Sequence, residues 1–202
     1  MKLSKRGEYA LRALIDLGIA QELGRPLLKL SELVEKERLP LKFLEQIFAQ
    51  LKTAGYISTR RGKEGGYFLA KPPQDISLGQ IVRLIDGPLA PIACVSQTAY
   101  ERCSCPEEEY CGLHMLMLDV RNAIASILDS YHLSDIVKIT LRKMRRDNVA
   151  MPFAAPVNPG PVIQGAPRST GENPEGDLLS ELLRPSPLPG TRGKTRNKRS
   201  MR

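Results

Sequence analysis

The chain has 202 residues and carries 30 Lys and Arg against 22 Asp and Glu, a net charge of +8. That length suits one domain with additional segments, and the basic balance is consistent with a polyanionic partner. No apolar run approaches the ~20 residues that cross a bilayer and the opening MKLSKRGEYALRAL lacks the unbroken apolar core of a secretory leader, so the expectation is a cytoplasmic protein without a membrane partner.

The first amphipathic helix is expected over residues 4–23. Ala10, Leu11, Leu14, Leu17 and Gly18 recur there at helical spacing, Ser4 offers an N-cap, and Gly24 a stop. After Pro26, Leu28 and Leu30 lead to Ser31, which opens a short helix with Leu33 and Val34 inward and an end at Arg38-Leu39-Pro40. Pro40 then stands at the first turn of a longer helix, where proline is tolerated, with Leu41, Leu44, Ile47, Phe48 and Leu51 down one face and Gly55 closing it. Two helices joined by a tight turn form a helix-turn-helix pattern. Two β-prone runs, 56–59 and 67–69, flank a basic glycine-rich turn and predict a hairpin.

Three helices followed by a basic hairpin make a winged helix-turn-helix. In that arrangement the second helix of the motif enters the major groove of double-stranded DNA, and the wing touches phosphates or the minor groove. Lys42 and Lys52 on the recognition helix, with Arg60, Arg61 and Lys63 on the wing, are suited to neutralise phosphates. Thr59 joins this set at the base of the wing. Glu45 and Gln46 are of the types that read cytosine and adenine edges; they read equally as the solvated face of a core helix.

Residues 77–86 form a fourth helix, with Ser77 as N-cap, Ile81, Val82, Leu84 and Ile85 apolar, and Gly87-Pro88 as the stop. A loop with all four cysteines follows. Beyond it, residues 113–133 read as one long helix in which Leu116, Val120, Ala123, Ile124, Ile127, Leu128 and Tyr131 share a face. Met115 and Met117 read as filler. So apolar a helix on a small winged domain argues for packing against a second copy, and a homodimer also suits two half-sites on an operator. A last short helix capped by Ser134 ends in a basic run, and His132 is read as structural. Nine of the sixteen prolines lie in residues 147–202, a basic stretch too poor in apolar periodicity to build a core and therefore read as a disordered tail. The expected fold is mainly α. Residues 1–88 form the winged domain with its β-hairpin wing, 89–112 a cysteine-rich loop, and 113–146 the long C-terminal dimerisation helix with the short helix after it.

The loop CVSQTAYERCSCPEEEYCGLH places Cys94, Cys103, Cys105, Cys111 and His114 within 21 residues. Its spacings match neither zinc ribbons nor ferredoxins. In a reducing compartment clustered thiols point to metal or redox chemistry rather than disulfides, and thiolates suit zinc or iron–sulfur clusters. No small-molecule substrate is indicated. With only two histidines and no base-orienting triad, an enzyme is not expected.

The stretches MKLSKRGEYALRAL, LPLKFLEQIFAQLKTAGYISTRRGKEGGYFLA and ISLGQIVRLIDG, followed by a cysteine loop and a long helix, resemble the Rrf-type winged-helix transcription regulators over about residues 1–146. That family includes an iron–sulfur cluster assembly regulator and a nitric-oxide-sensing repressor. The resemblance implies a dimeric DNA-binding regulator, a repressor, whose promoter binding follows a 2Fe-2S or 4Fe-4S cluster sensing redox state, iron–sulfur status or nitric oxide. It implies Cys105 and Cys111 as ligands, Cys94 as the third, and Cys103 as surplus; a ring of Cys94, Cys103 and Cys111 is the alternative. The fourth ligand it implies is His114, or Glu8 from the opposite subunit. Zinc, thiol-based sensing without a cluster, and electron transfer stand as alternative readings.

Overall fold

A computed structural model describes residues 3–153; residues 154–202 of the stretch read as a tail lie outside the described residues. Helix α1 (Lys5–Glu22) starts where expected, because Ser4 Oγ accepts from the Gly7 amide at 3.0 Å and so satisfies one orphan donor of the first turn. Ser4 is itself held by Asp86, its amide donating to Oδ2 at 2.9 Å and its hydroxyl to Oδ1 at 2.5 Å. The start of α1 is thereby tied to the end of α4 (Leu78–Asp86).

Helix α2 (Leu30–Glu37) opens one residue before Ser31, because Glu32 reaches back to accept from the Lys29 amide at 2.8 Å. It ends on Arg38 in the left-handed region, φ 52°. Helix α3 (Leu41–Thr53) takes Pro40 as its N-cap rather than in its first turn. Leu44, Ile47, Phe48 and Leu51 form its buried stripe, whereas Leu41 stands at the edge of the core and is exposed. Strands β1 (Ile57–Arg60) and β2 (Gly66–Leu69) pair antiparallel, Ile57 opposite Leu69 and Arg60 opposite Gly66. Leu28 adds a single bridge to Tyr67, with N–H···O distances of 3.0 and 2.8 Å. A Cβ on Gly66 would fall 2.7 Å from the Leu28 carbonyl oxygen, so only glycine allows this approach.

Helix α5 (Gly112–Ser130) stops three residues short of the expected Leu133. The backbone of Tyr131 to Leu133 is instead spent on a bridge to the segment before α4: Leu78 N–H donates to the Tyr131 carbonyl at 3.0 Å, and Leu133 N–H to the Ile76 carbonyl at 2.8 Å. Helix α6 (Leu133–Arg146) therefore opens at His132, whose amide Asp135 accepts at 3.0 Å, rather than at Ser134. Leu133, Val137 and Leu141 of α6 are buried in the same core as α1 and α3, and Met151 and Phe153 pack against it. The winged unit's core thus takes in a helix that follows the cysteine loop, while α5 has no buried residue.

The α1–α6 contact depends on Gly18, where a Cβ would sit 2.6 Å from Val137 Cγ2. Gly18→Ala is expected to lower stability by ~1–3 kcal/mol through overpacking, although alanine is the better helix former. Adding Val137→Ala should recover part of the loss in urea unfolding; no recovery would show that the collision is not the cause.

Candidate functional site

Two surfaces carry the residues of interest. On α3, Lys42, Glu45, Gln46 and Lys52 are all exposed, opposite the buried Leu44–Leu51 stripe. Arg60, Arg61 and Lys63 are exposed on the hairpin, and half-buried Thr59 accepts from Lys52 Nζ at 3.1 Å, linking the end of α3 to the wing. Between the hairpin turn and the α1–α2 connection lies a groove of about 640 Å³, lined by Arg60, Arg61 and Lys63 on one wall and Arg25 and Lys29 on the other. Arg25 and Lys29 did not emerge from the sequence, because only the Leu28–Tyr67 bridge brings that connection beside the wing.

The second surface is the cysteine loop. After Gly87, at φ 85°, buried Leu89 leads to a 3-10 turn, Ala93–Val95. This turn inserts Cys94 and Val95 into the interior, 6% and 3% exposed. Ser96 Oγ accepts from the Ala99 amide at 3.0 Å, and the Glu101 amide returns to the Ala93 carbonyl at 3.4 Å. The loop closes on α5, where Cys111 is the N-cap residue.

All four cysteines and His114 line one cavity of about 280 Å³. Cys105 Sγ and Cys111 Sγ lie 3.8 Å apart, roughly the S···S edge of ~3.8 Å expected for two thiolates on one tetrahedral metal with ~2.3 Å bonds. Cys94, Glu108 and His114 form a second group whose ligand atoms all lie within 4.8 Å of one another. Glu8 belongs to neither group: on α1 it is held by Lys5 Nζ at 2.7 Å and Arg12 Nη1 at 3.4 Å, and Lys5 keeps its carboxyl below the usual range.

The thiols are not electrostatically equal. The Cys111 thiol is lowered by the His114 amide at the start of α5 and by the Cys105 thiol, as expected at a helix N-terminus. Cys105 is pushed up to about 12 by hydrogen bonding with Cys103 and Cys111. Burial, then the proximity of Cys103 and Glu108, raises Cys94. Cys103 thus lies against both Cys94 and Cys105. A metal would displace these protons and reorder the set. His114 Nδ1 is buried without a hydrogen-bond partner among the described residues, a donor atom left available for a metal. Four thiols around one cavity, a pair at metal-chelating distance and an orphaned imidazole nitrogen fit an iron–sulfur cluster.

Helix α5 is anchored at its far end by a bidentate pair, Arg83 Nη1 and Nη2 to the Asp129 carboxylate at 2.6 and 2.8 Å. Near the loop its Leu113, Met115 and Leu116 are more than half exposed, as is Ile127 further along. Among the described residues no helix is long and apolar enough to cross a membrane.

A three-helix winged domain with a basic hairpin and a thiol-lined loop defines a protein of the winged helix-turn-helix class. Residues 3–139 match the Rrf2 family, described as iron-dependent transcriptional regulators. An Rrf2-like helix-turn-helix transcriptional regulator of Rhodobacter capsulatus is 35% identical over 137 residues, covering 67% of this chain and 91% of that protein. The structure of CymR, the global cysteine regulator of Bacillus subtilis, superimposes with a TM-score of 0.58 at 29% identity, covering 68% of this chain and 97% of that one. That of T. potens IscR gives 0.54 at 29%, covering 69% and 88%. The chain belongs to the Rrf2 family of transcriptional regulators, and its relatives are regulators, not enzymes.

Proposed function

We propose that this regulator is a homodimeric repressor that binds an operator through α3 and the wing, and that an iron–sulfur cluster in the cysteine loop controls that binding. The observation that carries the reading is the gathering of Cys94, Cys103, Cys105, Cys111 and His114 around one cavity at the root of α5. Cys105 and Cys111 would hold one side of the cluster, and Cys94 with His114 the other. Cys103 stands beside them, and Glu8 of a second copy remains the competing fourth ligand. When bound, the cluster supplies a redox-active, nitric-oxide-reactive and oxidant-labile group.

The protein's own part is to convert the state of the loop into a movement of α5. Cys111 caps that helix and Cys94 sits in the turn packed against it, so the loop's conformation is coupled to where α5 starts. Arg83 and Asp129 hold the other end to α4. The exposed apolar side chains of α5 are to be covered by a second copy, which would set the separation of the two α3 helices. Half-site spacing is a geometric requirement, and each bidentate base contact is worth ~1–3 kcal/mol, so a small rotation about α5 suffices to change occupancy.

The test is anaerobic purification with iron and sulfide analysis, then operator binding with and without the cluster. Visible absorption with matching iron and sulfide, and an affinity that changes when the cluster is removed, are expected. A colourless, iron-free protein that binds DNA unchanged would favour zinc or thiol-based sensing. Leu116→Glu is expected to shift the protein from dimer to monomer in light scattering and to weaken operator binding; an unaffected dimer would exclude this face of α5 as the interface.

A further inference from the structure

The cysteine loop brings together more donor atoms than a cluster needs, and two close groups stand out among them. Cys105 and Cys111 form one, at 3.8 Å. Cys94, Glu108 and His114 form the other, offering one sulfur, one oxygen and one nitrogen within 4.8 Å of one another. Tetrahedral ligands at bond lengths of ~2.0–2.3 Å lie roughly 3.3–3.8 Å apart. His114 Nδ1 and Glu108 Oε1 are at that spacing already, 3.6 Å, and the two edges to the Cys94 sulfur, ideally ~3.6 Å, need to close by roughly 1.2 Å at most.

Each of the three is prepared in a way its place in the loop does not otherwise explain. Cys94 is buried. His114 Nδ1 is buried with no hydrogen-bond partner among the described residues. Glu108 is oriented by Tyr100, whose hydroxyl lies 3.0 Å from Oε1 and 2.9 Å from Oε2; metal-binding carboxylates are commonly held by such an outer partner. Of the acids in CPEEEY, Glu107 and Glu109 are exposed and Glu108 is not.

We infer that Cys94, Glu108 and His114 form a mononuclear divalent-metal site of the zinc type, with Tyr100 as its positioning residue, which the protein uses when no iron–sulfur cluster occupies the loop. Three mixed protein ligands leave one coordination position open, the arrangement of a reactive rather than a closed structural zinc site. The site gives the cluster-free regulator a defined loop conformation instead of a collapsed one. It draws on Glu108 and Tyr100, which the cluster reading does not use, and it does not depend on that reading.

The experiment is anaerobic cobalt(II) titration of the full-length protein stripped of iron by a chelator, followed by zinc competition. Binding of one cobalt per chain is expected, with visible bands of a four- or five-coordinate ion and the charge-transfer intensity of a single thiolate. Glu108→Gln should weaken it by more than ~100-fold and Tyr100→Phe by ~10-fold, while Glu107→Gln, Cys105→Ser and Cys111→Ser leave it unchanged. Circular dichroism of each metal-free variant separates lost ligation from lost folding. Absence of cobalt binding overturns the proposal. So does indifference to Glu108→Gln, or an intensity of several thiolates that disappears in Cys105→Ser. Reconstitution with iron and sulfide is read separately. A chain that takes the cluster but not cobalt overturns this site alone, and one that takes cobalt but not the cluster overturns only the cluster reading.

Discussion

Lys36→Met is expected to destabilise the protein by about 1–2 kcal/mol near pH 8, because it leaves a buried carboxylate that must take up a proton rather than stand as an unpaired charge. The carboxylate is that of Asp16, on the inner face of α1 and only 2% exposed. Lys36 of α2 donates to its Oδ1, and Oδ2 has no hydrogen-bond partner among the described residues. Burial outweighs the pull of Lys36 and pushes the Asp16 carboxyl from 3.8 up to about 7. Because the folded pKa lies above the unfolded one, folding favours the protonated form: the contribution is fully present below ~pH 4 and is lost as pH rises through about 7. Stability should therefore decline across that window in the parent.

In Lys36→Met the carboxyl rises further, so the loss steepens, being small near pH 5 and large near pH 8. Glu37 also loses a partner, although Arg12 Nε still donates to it at 2.5 Å. Urea unfolding across that range measures the effect, and Asp16→Asn in the same background should restore most of it. A penalty equal at pH 5 and pH 8 would contradict the mechanism. The tie joins α1 to the first helix of the helix-turn-helix, so operator binding should also weaken as pH rises in the variant.

The second large effect is expected at the wing. Replacing Arg60, Arg61 and Lys63 together by alanine should cost about a hundredfold in operator affinity near physiological salt and lower the slope of log K against log salt by roughly 2.7, the value for three phosphate contacts. All three side chains are exposed on a two-stranded hairpin whose pairing does not involve them, apart from the backbone of Arg60, so the fold should be unaffected. The opposite wall of the groove supplies an internal comparison. Lys29→Ala should reduce the slope by roughly 0.9 if that side chain also meets a phosphate. Gln46→Ala should instead leave the slope alone and reduce discrimination between operator and unrelated DNA. A triple variant with an unchanged salt slope would remove the wing from the interface.

Much of this architecture is legible in the residues because its signals are local. The Leu44, Ile47, Phe48, Leu51 stripe, the serine before α1 and the glycines after α1, α3 and α4 each act within a turn or two of chain. The errors arose where distant backbone competed for the same groups. Residues 131–133 continue the apolar pattern of α5, yet their amides and carbonyls pair with residues 76–78, ending the helix early. Leu41 fits the inward face of α3 but lies beyond the edge of what α3 covers.

The cysteine loop divides in the same way. The sequence by itself established the fold class, the winged motif, the clustering of basic residues on α3 and the hairpin, and the presence of four thiols and a histidine in one short loop, because composition and short-range spacing carry that information. Its family resemblance singled out Cys105 and Cys111, which the structure does bring together. Only the tertiary structure decided that Cys94 faces Glu108 and His114, that Tyr100 aims the carboxylate, and that α6 rejoins α1 while α5 leaves the core. Those placements depend on closing a loop of irregular backbone and on burying α6 against Gly18, and such long-range contacts leave no periodic trace along the chain.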